Sequence, residues 1–545
     1  MATVRPVKYT GAFYVNNGNL KELLGDDGKD VFRINQMMYA TGAGSRAHVN
    51  MGAGNDSFTL SKGIRVDKGA ESLIEMGAGN DTICTTFMTA HDDSINKFDA
   101  GDGKDYIKLS QFMYAEGAGR NIIDAGAGVG DEVHVHGRME ALTGGMNSII
   151  AGAGYTLVHL DQQMIANGGT NEITLGQDGD KVQIDKAVLA YADGVNNINT
   201  GAGNDVLNVC CDVIAYSNGR NVFNLGDGND QACFNTSIQA QGANAVNSIL
   251  AGAGNDVVSV KYTVAATAGG SNRFDMGEGN DYLYIGKGTC CKAPYALYAD
   301  GGSNRIALGE GDDIVLLDGK VGAFNGGSNY VDAGAGHDWI VVDGHVNAGG
   351  LEINGGAGYD TLVLVAANGK AFNANYQSWL TAPNSAGNVS YEGYGNLESI
   401  QVKLCCLSTI KDINPWIKDF ADGYSTYFGK DLDLQININN NGCSTSLKEI
   451  FGKTAFDLFD HVDMGGGCKN TLNISGTFSK NGYDNNELFV TGDYGDRVKL
   501  SRDWSDTQTN HEYTVEGKTF TYDVYTNNVS GDQLYIEHGL LVYGC

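Results

Sequence analysis

The chain has 545 residues, 78 of them glycine and only 4 proline, with 65 acidic side chains against 36 basic ones. A net charge of −29 excludes a nucleic-acid binder that works by neutralising phosphates and disfavours adsorption to anionic lipid, while it suits multivalent cations as partners. A hydrophobic share of 42% supplies a core, and so much glycine with so little proline is neither collagen-like nor a proline-rich linker.

The opening MATVRPVKYTGAFYV carries no apolar stretch of signal-peptide type, and no run of about 18 apolar residues follows it. No membrane insertion is expected, and export would have to proceed without an N-terminal signal peptide. Residues 1–24 read as a short strip with Tyr9, Phe13 and Tyr14 as its large side chains.

From residue 25 to 365 one motif recurs. GAGND occurs at Gly52–Asp56, Gly77–Asp81, Gly201–Asp205 and Gly252–Asp256, and related turns end at Asp105, Asp230, Asp281, Asp313, Asp338 and Asp360. Degenerate copies end at Asp30, Asp131 and Asp180, and one, Gly152–Thr156, has lost its aspartate. That makes fourteen copies at a period near 25 residues. After each aspartate, positions +2 and +4 are apolar (Phe58 and Leu60, Ile107 and Leu109, Leu207 and Val209). Position +3 is polar in many copies (Thr59, Lys108, His134, Gln183, Asn208), which marks a short strand with one buried face.

Five residues before the first glycine of the turn, asparagine repeats at 96, 121, 147, 171, 196, 221, 247, 272, 304 and 329. Ten asparagines at one position predict an amide ladder between coils. Each unit is therefore a strand into the turn, a strand out and a variable return arm. Stacked, the units predict a right-handed parallel β-solenoid of about 14 coils, each stacked about 4.8 Å on the last. The one unit of 32 residues, which contains Pro294, predicts a projecting loop.

These turns resemble the hemolysin-type (RTX) calcium-binding repeat, G-G-x-G-x-D-x-U-x, which GGAGYDTLV at Gly355–Val363 matches at every specified position. The resemblance covers about residues 20–365 and implies several Ca2+ ions. The ligands it implies are Asp30, Asp56, Asp81, Asp105, Asp131, Asp180, Asp205, Asp230, Asp256, Asp281, Asp313, Asp338 and Asp360, with the backbone of turn glycines such as Gly52, Gly54, Gly77, Gly79, Gly201, Gly203, Gly252 and Gly254. Calcium takes about six to eight oxygen ligands, and glycine-rich turns can supply carbonyls beside a carboxylate. The familiar roll uses nine-residue half-coils and carries calcium on both edges, whereas a 25-residue period predicts calcium along one edge only. The plainer alternative is a tight turn whose aspartate caps backbone amides. Thr156 is expected to weaken the calcium site at its own turn.

Beyond residue 365 glycine thins, and residues 366–545 read as an α+β cap and secretion domain. Gly393–Val402, GYGNLESIQV, is similar to the segment that ends many such arrays. Amphipathic stretches follow near 407–429 and 446–460, the second opening with Ser446 and Glu449 as a capping box. The tail, roughly 455–545, is similar to the C-terminal domain of large type I-secreted bacterial adhesins through Gly495, Asp496, Trp504 and Tyr522–Thr526. That similarity implies export through a type I channel by an uncleaved C-terminal signal, to the medium or the bacterial surface.

Eleven cysteines include three vicinal pairs but no C-x-x-C, so zinc-ribbon or thioredoxin-like chemistry has no support. Cys84 and Cys233 share the +3 position six coils apart, too far for a disulfide. His134 and His159 share it on adjacent coils, which predicts rings stacked about 5 Å apart. They read either as a surface transition-metal site or, more plainly, as a solvated pair. H-E-x-x-H, G-x-S-x-G and a Walker loop are all absent, so no catalytic residue is assigned and an enzyme is not expected. A polysaccharide-acting β-helix enzyme is the remaining enzymatic alternative. The leading expectation is a calcium-binding extracellular structural protein that self-assembles as a homo-oligomer or polymer through its N-terminal face. The alternative is a calcium-dependent adhesin for a surface or a glycan.

Overall fold

The computed structural model describes residues 5–9, 13–286, 295–366, 369–382, 389–391, 393–404, 416–428, 432–437, 444–446, 461–464, 469–474, 487–515 and 518–544. It divides into two compact units. The first is Met1–Ala293 with Leu297–Leu308 and Phe324–Ser328. The second is Pro294–Ala296, Gly309–Ala323 and Asn329–Cys545. Both are built mainly from parallel strands, and the parallel coils number about 17.

In the first unit one coil serves for all. An inbound strand, Val195–Asn199, leads into the turn Gly201–Asp205; an outbound strand, Val206–Val209, leaves it; a return strand, Val213–Tyr216, closes the coil. Each strand pairs in parallel with its counterpart one period on, as Leu207 with Ala232, Val213 with Ile238 and Asn196 with Asn221. The arm that the sequence leaves variable is thus a third sheet. Its signature is a large apolar residue, one outward residue, then alanine: Met113 and Ala115, Met139 and Ala141, Val188 and Ala190, all fully buried. The small alanine leaves room for Phe223 and Leu225 from the inbound strand, while Leu207 and Val209 enter from the outbound one.

The asparagines lie inside the coil. Nδ2 of Asn196 donates to Oδ1 of Asn221 at 2.9 Å and also to the Leu189 carbonyl at 2.8 Å, so each amide ties its own corner as well as the next coil. The run continues unbroken from Asn96 to Asn304, because the 32-residue unit keeps the register with an Asn272–Asn304 bond of 2.8 Å. The expected loop around Pro294 falls largely on residues 287–294, outside the described residues.

The N-terminal strip is a coil in its own right. Arg5–Tyr9 pairs with Asp30–Ile34, Phe13–Asn16 with Met38–Thr41, and Leu20–Leu24 with Arg46–Asn50. Each of the three has a partner on one side only among the described residues, and Tyr14, Leu20 and Leu24 are exposed.

In the second unit the outbound-type strands continue past residue 365. Ile314–Asp318, Trp339–Asp343, Thr361–Ala366, Ser399–Leu404, Asp433–Asn437, His461–Asp463, Glu487–Thr491 and Gln533–Glu537 pair in parallel in that order. This corrects the expected count of fourteen, which followed the glycine motif and missed coils closed by other turns. A long antiparallel hairpin, Trp504–Val515 with Lys518–Asn527, joins the last parallel strand.

Two helices interrupt the strands. Helix α1, Gly369–Leu380, was not anticipated, although Phe372, Tyr376, Trp379 and Leu380 are spaced for one buried helical face. Its Tyr376 hydroxyl donates to the Val365 carbonyl at 2.6 Å, and the Trp379 indole donates to Leu351 O at 2.9 Å. Helix α2, Trp416–Phe428, is the first predicted amphipathic stretch. Ser446 ends a short strand, Ser444–Ser446, and the rest of the second amphipathic stretch, 447–460 with Glu449, lies outside the described residues. No described helix is long and apolar enough to cross a membrane.

Candidate functional site

The turn aspartates form a buried column in each unit. Asp30, Asp56, Asp81, Asp105, Asp131, Asp180, Asp205, Asp230, Asp256 and Asp281 in the first, and Asp313, Asp338 and Asp360 in the second, are all at most 5% exposed. Most of these carboxylates reach back to the preceding coil, whereas that of Asp30 accepts the Asp26 amide of its own turn at 2.8 Å. Oδ1 of Asp81 accepts the Asp56 amide at 2.6 Å, Asp230 accepts from Asp205 at 2.7 Å, and Asp256 accepts from Asp230 at 2.7 Å. In the second unit Asp338 accepts from Asp313 at 2.9 Å. Thr156 breaks the row, and the Asp131 amide donates to the Tyr155 carbonyl at 3.2 Å instead. Below Asp360, Glu398 Oε2 takes the amide at 2.9 Å, so the GYGNLESIQV segment supplies the closing carboxylate.

The other oxygen is left over. Oδ2 of Asp56, Asp81, Asp105, Asp131, Asp205, Asp230 and Asp256 is buried with no hydrogen-bond partner. Burial pushes these carboxyls up, against the opposing effect of the amide bonds. Asp81 and Asp256 reach about 6, and Asp105, Asp180 and Asp230 about 7. In the second unit Asp360 reaches about 6 and Asp338 about 8. A column of this kind at neutral pH needs protons or cations to offset its charge.

The glycines of the motif sit where successive turns come into close contact. Gly52, Gly54, Gly77, Gly79, Gly201, Gly203, Gly252 and Gly254 all have positive φ. Successive turns approach so closely that a Cβ on Gly228 would lie 1.7 Å from the Gly203 carbonyl oxygen. Their backbone groups form a ladder of their own: Gly203 N–H donates to Asp227 O at 2.7 Å, and the Gly201 carbonyl accepts from Asp227 N–H at 3.2 Å. A second ladder uses the asparagine of GAGND, which sequence reasoning left without a role. Asn204 Oδ1 accepts the Asn229 amide at 2.8 Å, and Asn229 Oδ1 accepts that of Asn255 at 2.7 Å. Its recurrence one residue before the aspartate was the available signal.

The donor set can therefore be tested against calcium. The orphaned Oδ2 oxygens are the buried, anionic acceptors a hard cation takes. A glycine carbonyl that already accepts an amide, as Gly201 does from Asp227, keeps a second lone pair with which it could also face an ion. Oδ1 meanwhile does what the plainer reading asks, capping an amide on the neighbouring coil.

The second unit holds a cavity of about 650 Å³. Trp339, Tyr359, Phe489, Tyr513, Phe520 and Tyr522 line it, with Gln401, Gln435, Glu487 and Glu537 among the polar groups. His461 on its wall is pushed down to about 4 by burial, with Asp463 opposing, so its imidazole is neutral at physiological pH. Aromatic faces beside amides and carboxylates suit a polyhydroxylated ligand.

His134 and His159 are neighbours as expected, with ring centroids 5.7 Å apart, but they meet edge to face and do not stack. Cys84, Cys210, Cys211 and Cys233 are free thiols, and the other seven cysteines lie outside the described residues. No protein-family model matches the chain, and no curated protein matches it.

Proposed function

We propose that this chain is a calcium-binding structural protein of the cell exterior, in which the aspartate column is the calcium-responsive element and the repeated coils are the scaffold. The observation that carries the reading is the row of buried carboxylates whose second oxygen has no partner. Uncompensated, adjacent ionised aspartates stacked about 5 Å apart repel, and calcium bound through Oδ2 would offset that repulsion and add cohesion between coils. The first coil favours self-assembly, since among the described residues its strands are paired on one side only and Leu20 and Leu24 are exposed. Export by a type I route rests on the C-terminal similarity.

The test is thermal unfolding of the full chain after chelation, with calcium or magnesium then titrated at pH 7.5, alongside light scattering. A melting temperature that rises with calcium, more than with magnesium, is expected. An unchanged melting temperature in millimolar calcium overturns the reading, and a monomer at high concentration in calcium removes the assembly role.

The cavity favours a second reading, a calcium-dependent adhesin for a glycan. A glycan array probed with the wild type and with Tyr513→Ala decides it. Binding lost in the variant supports the adhesin, and no binding by the wild type removes it.

A further inference from the structure

On the outward face of the outbound sheet, the +3 and +5 positions of three successive coils come together. They contribute His134 and His136, His159 and Asp161, then Gln183 and Asp185, with His134 opposite His159 and His159 opposite Gln183 in register. Nε2 of His159 lies 3.1 Å from Oδ2 of Asp185 and 3.5 Å from Oδ1 of Asp161. One atom from each residue falls within 4.8 Å of the others. Ligands at 2.0–2.1 Å from a tetrahedral zinc ion stand about 3.3 Å apart, so both histidine–carboxylate distances are those of a tetrahedron's edge.

The carboxylates are also held from behind. Asp161 turns its Oδ2 to Nδ1 of His136 at 2.5 Å, and Asp185 accepts from Nε2 of Gln183 at 2.8 Å through Oδ1. Each therefore has one tethered oxygen and one facing His159, the arrangement by which outer groups orient metal ligands. Oδ1 of Asp161 is buried and has no hydrogen-bond partner. A single N–H on His159 cannot satisfy two carboxylates, whereas a divalent ion can. His48 shows the contrast: its Nδ1 meets Glu22 at 3.1 Å and its Nε2 meets Glu75 at 2.7 Å, so each nitrogen has its own carboxylate and nothing is left over.

We propose that His159, Asp161 and Asp185 form a tetrahedral site for a zinc-type divalent transition-metal ion, with His136 and Gln183 as positioning residues and water as the fourth ligand. The imidazole nitrogen selects a borderline ion over calcium, which takes oxygen. The site is independent of the calcium reading. The three side chains are 29%, 31% and 40% exposed, which leaves the fourth position open to solvent.

The test uses the full chain, its thiols alkylated, in millimolar calcium throughout, with Co2+ as a spectroscopic probe and Zn2+ as competitor. The wild type should bind one Co2+ with the visible absorption of a tetrahedral site and release it to one equivalent of Zn2+. Asp161→Asn and Asp185→Asn should abolish that spectrum, and His136→Gln should weaken binding about 10–100-fold. His134→Gln should leave affinity within about twofold, its ring not being a ligand. Circular dichroism checks that the variants fold; should an aspartate variant not fold, His159→Gln replaces it and must lose the spectrum. Absence of a tetrahedral cobalt spectrum in the wild type, or its survival in the folded ligand variants, overturns the proposal.

Discussion

Replacing Asp230 by asparagine separates the two roles of the column. Oδ1 of Asp230 accepts the Asp205 amide at 2.7 Å, and Oδ2 is buried without a partner. Burial lifts the carboxyl from 3.8 to about 7. Because the folded-state value is raised, the folded protein holds the extra proton. The stability linked to it is full below about pH 4 and is lost as pH rises through 7. At about 1.4 kcal/mol for each pKa unit, the rise from 3.8 to about 7 gives on the order of 4 kcal/mol for an ionised site, and relaxation of the surroundings about the buried charge brings this to about 2 kcal/mol. Asparagine keeps the Oδ1 acceptor and carries no charge. In chelator at pH 8, Asp230→Asn is therefore expected to be more stable than the wild type by about 2 kcal/mol, and equal to it at pH 4, where both groups are neutral. In millimolar calcium the sign should reverse, since the ligand oxygen is gone. Urea unfolding followed by circular dichroism reads all three conditions. The reasoning fails if, in chelator at pH 8, Asp230→Asn loses as much stability as Asp230→Ala, which strands the Asp205 amide at a cost of about 1–3 kcal/mol.

The other outcomes follow from the same stack. Chelated wild-type protein should lose stability steadily from pH 5 to pH 8, as the raised carboxyls near 6 to 8 ionise, and calcium should flatten that slope in urea titrations. Asn221→Ala removes the acceptor of Asn196 and the donor to Asn247, and should cost about 1–3 kcal/mol; wild-type stability in that variant would refute the ladder. Gly228→Ala drives a methyl into the Gly203 carbonyl and should cost more than about 3 kcal/mol, or prevent folding. Gly326→Ala, with nothing within 4 Å, should cost about 1 kcal/mol from its backbone angle alone; equal melting temperatures for the two would contradict the close stacking.

Much of the architecture was legible because a solenoid writes its third dimension into its period. With a period near 25, Asn96, Asn121 and Asn147 at one position had to stack, Leu207 and Val209 had to face inward, and the aspartates within each unit had to line up. Those conclusions need only the spacing and the two-residue alternation of a strand. The third sheet was equally periodic, in Met113 and Ala115 or Val188 and Ala190, but a single alternation of two apolar residues is too short a signal to stand alone. Past residue 365 the period lapses, and the parallel order of Ser399–Leu404, Asp433–Asn437 and His461–Asp463 is set by pairing between segments with no shared motif.

The sites needed the tertiary structure for a different reason. Whether an aspartate in a GxGxD turn points its oxygens at an amide or at open space depends on the offset between coils, which the spacing does not contain. In the folded stack Oδ1 meets the amide of the coil before, and Oδ2 is left in the wall. Likewise the sequence aligned His134 with His159, but Asp161 and Asp185 lie just past the ends of their strands, where alternation no longer says which way a side chain turns. Only the corner geometry brings those carboxylates to His159 Nε2, because contacts between coils are made by side chains 24 to 26 residues apart whose directions are fixed by the turn and not by the strand.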